Sequence, residues 1–237
     1  MTAARQRSLC GHVLAVRNFG DGHRIYEVLT AEEGRVSLVA RHARASRRRL
    51  NGALDVFATA ELDLCTTNGL WRLEQARVTA PRLGLRDELE RLERAALLCE
   101  AVRVLVPEHH AAPETSRALA RALDDLAFGH LAAAVSCYAT LMGAAGILPD
   151  LARCTRCGAE PQAVTRLDGQ SGGVLCQACA PHSPTLDAAA LAALCGRPCA
   201  DPQTALVAEG YALDWIEAQI GRALQSRNGW AGRASVP

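Results

Sequence analysis

Two Cys-x-x-Cys pairs, Cys154–Cys157 and Cys176–Cys179, stand eighteen residues apart and restrict this chain more than any other feature. A two-residue spacer lets one tight turn aim two thiolates at the same ion, and Zn²⁺ takes four such ligands in a tetrahedron. Gly158 after the first pair, and Gly172 and Gly173 before the second, supply turn conformations that other residues resist. The spacing reads as a four-cysteine zinc site. Disulfides are the alternative, but Met1 to Cys10 contains no apolar run of a secretory signal, which points to a reducing cytosol. A redox Cys-x-x-Cys would need a strand-then-helix pattern that neither pair has. Four thiolates fill the coordination sphere and leave no position for a catalytic water. No histidine is followed by glutamate two residues later, so the zinc deaminase pattern is missing. The expectation is one structural Zn²⁺ on Cys154, Cys157, Cys176 and Cys179. Cys195 and Cys199 read as incidental thiols, and Cys10, Cys65, Cys99 and Cys137 as buried small hydrophobes.

From Leu9 to Thr79 the hydropathy alternates with period two. Strands are expected over Cys10 to Arg17, Ile25 to Thr30, Arg35 to Arg41, Asp55 to Cys65 and Trp71 to Val78, with turns at Asn18–Gly22, Glu32–Gly34 and Thr66–Gly69. Five strands in roughly seventy residues is the rhythm of a small closed barrel. The OB-fold is the five-stranded candidate, and an SH3-like barrel would read almost the same. The net charge is only +1, and all 26 basic residues are arginine. The positive charge is concentrated in this first part and peaks in one run without an acid: Arg41, Arg44, Arg47, Arg48 and Arg49, with His42 among them. In the strand before it, Arg35, Ser37 and Arg41 share one face, so strand and loop can present a joined stripe. A solvated loop is the bland alternative. Small barrels bind single strands along grooves bordered by such loops.

After Pro81 the period lengthens to about 3.6. Leu85, Leu89, Leu92, Ala96, Cys99, Val102 and Val106 predict one amphipathic helix that Pro107 ends, with the charges from Arg86 to Arg94 on a solvated face. Further helices are expected over Glu114 to Phe128, Leu131 to Ala145, Asp187 to Leu194 and Pro202 to Gln225, before a loose tail from Asn228. No charged residue lies between Asp125 and Asp150. His130, Ser136, Thr140 and three glycines in that stretch argue for a buried bundle helix rather than a membrane span. The expected architecture is α+β and multidomain: an N-terminal five-stranded OB-fold barrel, then an α-helical domain carrying a four-cysteine zinc module. The expected boundaries are 1–80 for the barrel, 81–150 and 183–237 for the helical domain, and 151–182 for the zinc module.

Several segments together resemble the RecO family of bacterial recombination mediators. They are Gly11–Arg17, Leu29–Val36, Val39–Arg44, Gly52–Leu54 with Phe57, and Gly146–Leu151 running into Cys154-x-x-Cys157-Gly158, then Gly172-Gly173 and Cys176-x-x-Cys179. The family commonly has Lys-Gly-Ala-Arg where this chain has Arg41-His42-Ala43-Arg44, and often proline where Val56 stands. The resemblance implies an OB-fold that binds single- and double-stranded DNA, through Arg35, Arg41, Arg44, Arg47, Arg48 and Arg49 here. It further implies annealing of complementary strands and action with RecR in loading RecA onto DNA coated by single-strand binding protein, whose C-terminal tail would dock on the helical part. It implies a cytoplasmic protein without catalytic residues. Two other classes stay open from the residues alone: a zinc-dependent hydrolase or nucleotide-modifying enzyme, which an open metal site would mark, and a zinc-ribbon interaction protein without DNA affinity.

Overall fold

The computed structural model describes residues 5–41, 54–67, 70–183 and 185–229. Five strands, β1 (Arg5–Phe19), β2 (His23–Thr30), β3 (Gly34–Ala40), β4 (Thr59–Thr67) and β5 (Leu70–Ala80), close into a barrel of order β1-β2-β3-β5-β4. All neighbours are antiparallel except β3 and β5, which run parallel. This is a barrel of the OB type. Its interior is filled by alternate positions such as Val13, Tyr26, Val28, Val36, Leu38, Leu62 and Leu73. The fourth strand begins at Thr59 rather than Asp55, because the chain turns at Phe57, a non-glycine residue at φ 74°. That turn sends the Phe57 ring out of the barrel, where with Leu14 and Leu29 it joins the core of the helical body.

The helical body is built from α1 (Leu89–Leu105), α2 (Pro113–Ala127), α3 (Ala133–Ala144), α4 (Ala188–Leu194) and α5 (Pro202–Ile220), with 3-10 turns at Leu83–Arg86 and Gln225–Gly229. The uncharged stretch forms α3, packed among its neighbours with Tyr138, Leu141 and Met142 buried. Among the described residues no helix is long and apolar enough to cross a membrane. The sequence expected one helix from Leu85 to Val106. Instead it breaks at Asp87 and Glu88, which resets the helical phase: Leu85 is buried in the short turn while Leu89 is left exposed. Arg94, expected on a solvated face, is buried and pairs with the fully buried Glu209 of α5 and with Glu90 at 3.0 Å. The fifth helix stops at Ile220, not Gln225, because Gly221 takes the left-handed conformation (φ 70°) of a C-terminal cap. Cys65, Cys99 and Cys137 are buried, and burial pushes the Cys99 and Cys137 thiols up to about 12. Cys10 departs from expectation: it lies on the barrel's solvent side.

Barrel and body are joined by a continuous polar seam. The loop after α1 lies on the β2–β3 turn, where His109 N–H donates to the Arg35 carbonyl at 3.2 Å and Ala112 N–H to the Ala31 carbonyl at 3.0 Å. Gly34 (φ 62°) permits this approach, since a Cβ there would drive into the carbonyl of His110. Deeper in the seam, Arg82 donates to the Phe57 carbonyl at 2.8 Å, the Thr59 hydroxyl at 2.6 Å and Asp124 of α2 at 2.7 Å. His12 bridges Thr59 at 2.8 Å and Ser116 of α2 at 3.0 Å.

Candidate metal centre and nucleic-acid face

Residues 150–180 fold into a three-stranded sheet of β6 (Asp150–Cys154), β8 (Gly173–Cys176) and β7 (Val164–Asp168), in that order. Each cysteine pair caps one strand end. After β6 the Gly158 N–H donates back to the Cys154 carbonyl at 2.8 Å, closing a turn that Gly158 completes at φ 72°. After β8 the N–H groups of Cys179 and Ala180 both return to the Cys176 carbonyl at 3.0 Å. The two turns face each other, and Arg156 of the first donates to the Cys179 carbonyl of the second at 2.6 Å. No spacing rule points to Arg156; its role depends on this meeting of the two turns.

The Sγ atoms of Cys154, Cys157, Cys176 and Cys179 all lie within 4.8 Å of one another, and those of Cys157 and Cys176 are 3.8 Å apart. Sulfurs about 2.3 Å from a tetrahedral Zn²⁺ lie about 3.8 Å from each other, so the donor set fits one ion. The Cys176 N–H donates to Cys154 Sγ at 3.5 Å, and with the Cys157 N–H it pulls the Cys154 thiol down to about 6. Burial, then hydrogen bonds with the other three cysteines, push Cys179 up to about 12. The Cys179 thiol therefore resists ionising beside Cys154, and a bound cation is what would stabilise it as a thiolate. Apart from these sulfurs, the module's own apolar cluster holds only Leu175 and Ala180. Its other side is pinned to the helical body: Gln219 of α5 donates to the Gly169 carbonyl at 2.7 Å, and Leu186 N–H to the Val164 carbonyl at 2.8 Å.

The outer face of β1–β2–β3–β5 has two ends of opposite character. At one, Arg35 contacts Glu27 at 3.8 Å, Glu108 at 3.0 Å and the Val106 carbonyl at 3.2 Å. Arg103 of α1 holds both oxygens of Glu27, at 2.7 and 3.1 Å. Arg35 does share a face with Ser37, but the helical body covers that end and neutralises its charge. Sequence periodicity could not show this, because Glu108 and Val106 lie about seventy residues further on. At the other end, among the described residues, no element covers the face. Register aligns Arg17, Ile25, Val39 and Arg72 in one row across four strands. Phe19 pairs with His23 in the next row, and continuing the β2–β3 register places Arg41 beside them. Arg17, Phe19 and Arg41 are exposed. Arg72 is partly exposed and pairs with Glu74. Arg17 makes no ion pair among the described residues. Of the arginine run, Arg41 ends this face, whereas Arg44, Arg47, Arg48 and Arg49 lie outside the described residues. Arg17 escaped the sequence reading, although alternation alone sets it on one face with Phe19; the neighbours of both across the sheet become visible only through register.

Comparison with known proteins agrees with both halves of this architecture. The sequence model for "Recombination protein O N terminal" matches residues 6–82, and that for "Recombination protein O C terminal" matches residues 86–227. The chain is 35% identical over 238 residues to the "DNA repair protein RecO" of Anaeromyxobacter sp. (strain K), covering 92% of this chain and 93% of that one. It is 33% identical to the protein of the same description from Pelobacter propionicus, covering 91% and 87%. For the one from Myxococcus xanthus the identity is 29%, covering 90% and 92%. With an OB-type barrel, a helical body bearing four convergent cysteines, and matches along nearly the whole length, the chain belongs to the RecO family of DNA repair proteins.

Proposed function

We propose that this RecO-family chain is a recombination mediator that binds single- and double-stranded DNA on its barrel. It anneals complementary strands and, with RecR, helps load RecA onto DNA coated by single-strand binding protein, in the cytoplasm and at the nucleoid. The observation that carries the DNA contact is the end of the barrel face where Arg17 and Phe19 of β1 and Arg41 just past β3 are exposed, with Arg72 of β5 across the sheet. In the sequence Arg44, Arg47, Arg48 and Arg49 follow Arg41, and their charge would add to the same DNA contact. Arg35, already satisfied by Glu27 and Glu108, holds the barrel against the body and contributes little to phosphate binding. The ion on Cys154, Cys157, Cys176 and Cys179 is Zn²⁺ in a structural role; four thiolates leave it no open position, which removes the basis of the hydrolase reading. RecR and the tail of single-strand binding protein enter through the family likeness alone.

Contacts of this kind go to phosphates, so they give affinity without sequence preference. If about four arginines touch phosphates of a single strand, log K falls with log salt at a slope of roughly −2.8, from about 0.7 per contact. Replacing Arg44, Arg47 and Arg48 together with alanine is expected to flatten that slope by about two units and weaken binding alike on every sequence. Zinc content and melting should stay as in the wild type. Unchanged affinity and slope would place the DNA site elsewhere.

A further inference from the structure

Four aromatic residues belong to the barrel: Phe19, Tyr26, Phe57 and Trp71. Tyr26 is 1% exposed and Trp71 9%, both within the barrel interior, and Phe57 is committed to the core of the helical body. Phe19 is 54% exposed and belongs to no apolar cluster among the described residues. It ends β1 at the tip of a tight hairpin whose turn passes through Gly20 (φ 52°) and Gly22 (φ 81°), opposite His23. Arg17 precedes it by two residues on the same face, about 7 Å along the strand, and Arg41 follows in the cross-strand row. A ring outside every core formed by the described residues, with arginines near it on the same face, is suited to a flat base attached to a phosphate chain.

We infer that Phe19 is the barrel's base-stacking platform, and that it sets the preference for single-stranded over duplex DNA. The inference rests on the reading of the barrel as the DNA-binding part. An unpaired nucleotide can lay its base on the Phe19 ring while Arg17 and Arg41 hold the phosphates on either side. In a duplex both faces of each base are covered by its neighbours, so the same ring gains nothing unless a base is pulled from the stack. The arginines serve both forms of DNA; the ring serves one.

The test measures fluorescence anisotropy of the full, zinc-loaded chain with an oligothymidine and with a blunt duplex, each over a range of salt. Phe19→Ala is expected to weaken single-strand binding at least about fivefold, with the salt slope intact and duplex affinity unchanged. Phe19→Leu should behave like alanine, because leucine keeps the apolar contact but has no π-face, and Phe19→Trp should restore or exceed the wild-type preference. Single-strand affinity unchanged in Phe19→Ala, equal losses on both DNAs, or wild-type behaviour of Phe19→Leu would each overturn the inference while leaving the DNA reading in place. Wild-type protein that binds neither DNA would overturn the reading itself. The ring belongs to no core, so all three variants should melt as the wild type does, and a variant that does not is read by its duplex affinity as an internal control.

Discussion

His12 has one ring nitrogen on the Thr59 hydroxyl and the other on Ser116, in a seam that admits little water. Burial, and then the nearby Arg82 guanidinium, push its pKa from 6.5 down to about 4, with Asp124 opposing. The arrangement suits a neutral ring: Thr59, which accepts from Arg82, is left to donate to Nδ1, and Nε2–H is free to donate to Ser116. A base held below its ordinary pKa is neutral in the fold but takes up a proton in the unfolded chain. Stability is therefore fully present above pH 6.5 and drains away as the pH falls toward 4, by up to about 3 kcal/mol. Denaturant titrations of the wild type and His12→Gln at several pH values between 7 and 4 check this. The variant should be less stable at pH 7, since it loses fitted hydrogen bonds, yet decline less steeply on acidification. Parallel declines would mean that other groups set the acid sensitivity. Nothing in the local sequence marks His12 for this role; Thr59 is 47 residues away and Ser116 is 104.

The four-cysteine module shows what an element can and cannot hold together unaided. Its sheet has one strand of four residues and two of five, and its apolar cluster contains little besides the sulfurs. A segment with so small a core of its own is one that a bound metal ion would stabilise. One equivalent of zinc per chain is expected in freshly purified, reduced protein, and Cys157→Ser should release it. Hydrogen exchange should then show lost protection in β6 and β8 while the barrel strands and DNA affinity are retained. Finding no zinc would refute the assignment. The module was legible in the sequence because the convergence of its four cysteines is a local device: two short spacers and a few glycines specify each turn without help from elsewhere. The five barrel strands were legible for a similar reason, since alternation is written along each strand. What stayed hidden depends on the partner element. The phase of α1 could not be read through the break at Asp87 and Glu88, and Arg94 looks like any solvated helix cation until Glu209 is brought against it. The same holds for Glu100: burial works against its charge, but the N–H groups of Ser226 and Gln225, at 2.7 and 2.8 Å, outweigh it and hold its carboxyl below the usual range.

Across the whole molecule, barrel and helical body act as one piece, joined by the loop seated on Gly34, the Arg82 and His12 contacts, and the shared core around Phe57. A partner bound to the body would therefore be held at a fixed distance from DNA on the barrel. The acidic, apolar-ended tail proposed as such a partner needs an apolar seat with a cation at its mouth. The groove between the end of α1, the following loop and α3 supplies apolar walls from Leu105, Val106, Pro113 and Leu141, but its lining contains no arginine. Titrating the full chain with a tail peptide in a calorimeter should give saturable one-site binding that weakens with salt; no heat at low salt would remove this partner. The seam also bears on how such a chain can change over generations. A barrel severed after residue 82 would carry Leu14, Leu29 and Phe57 bare, and Arg82 would lose the carboxylate of Asp124. Neither half can be exchanged for a distant counterpart without matching the other, since a substitution at Ser116 would leave a ring nitrogen of His12 without its partner.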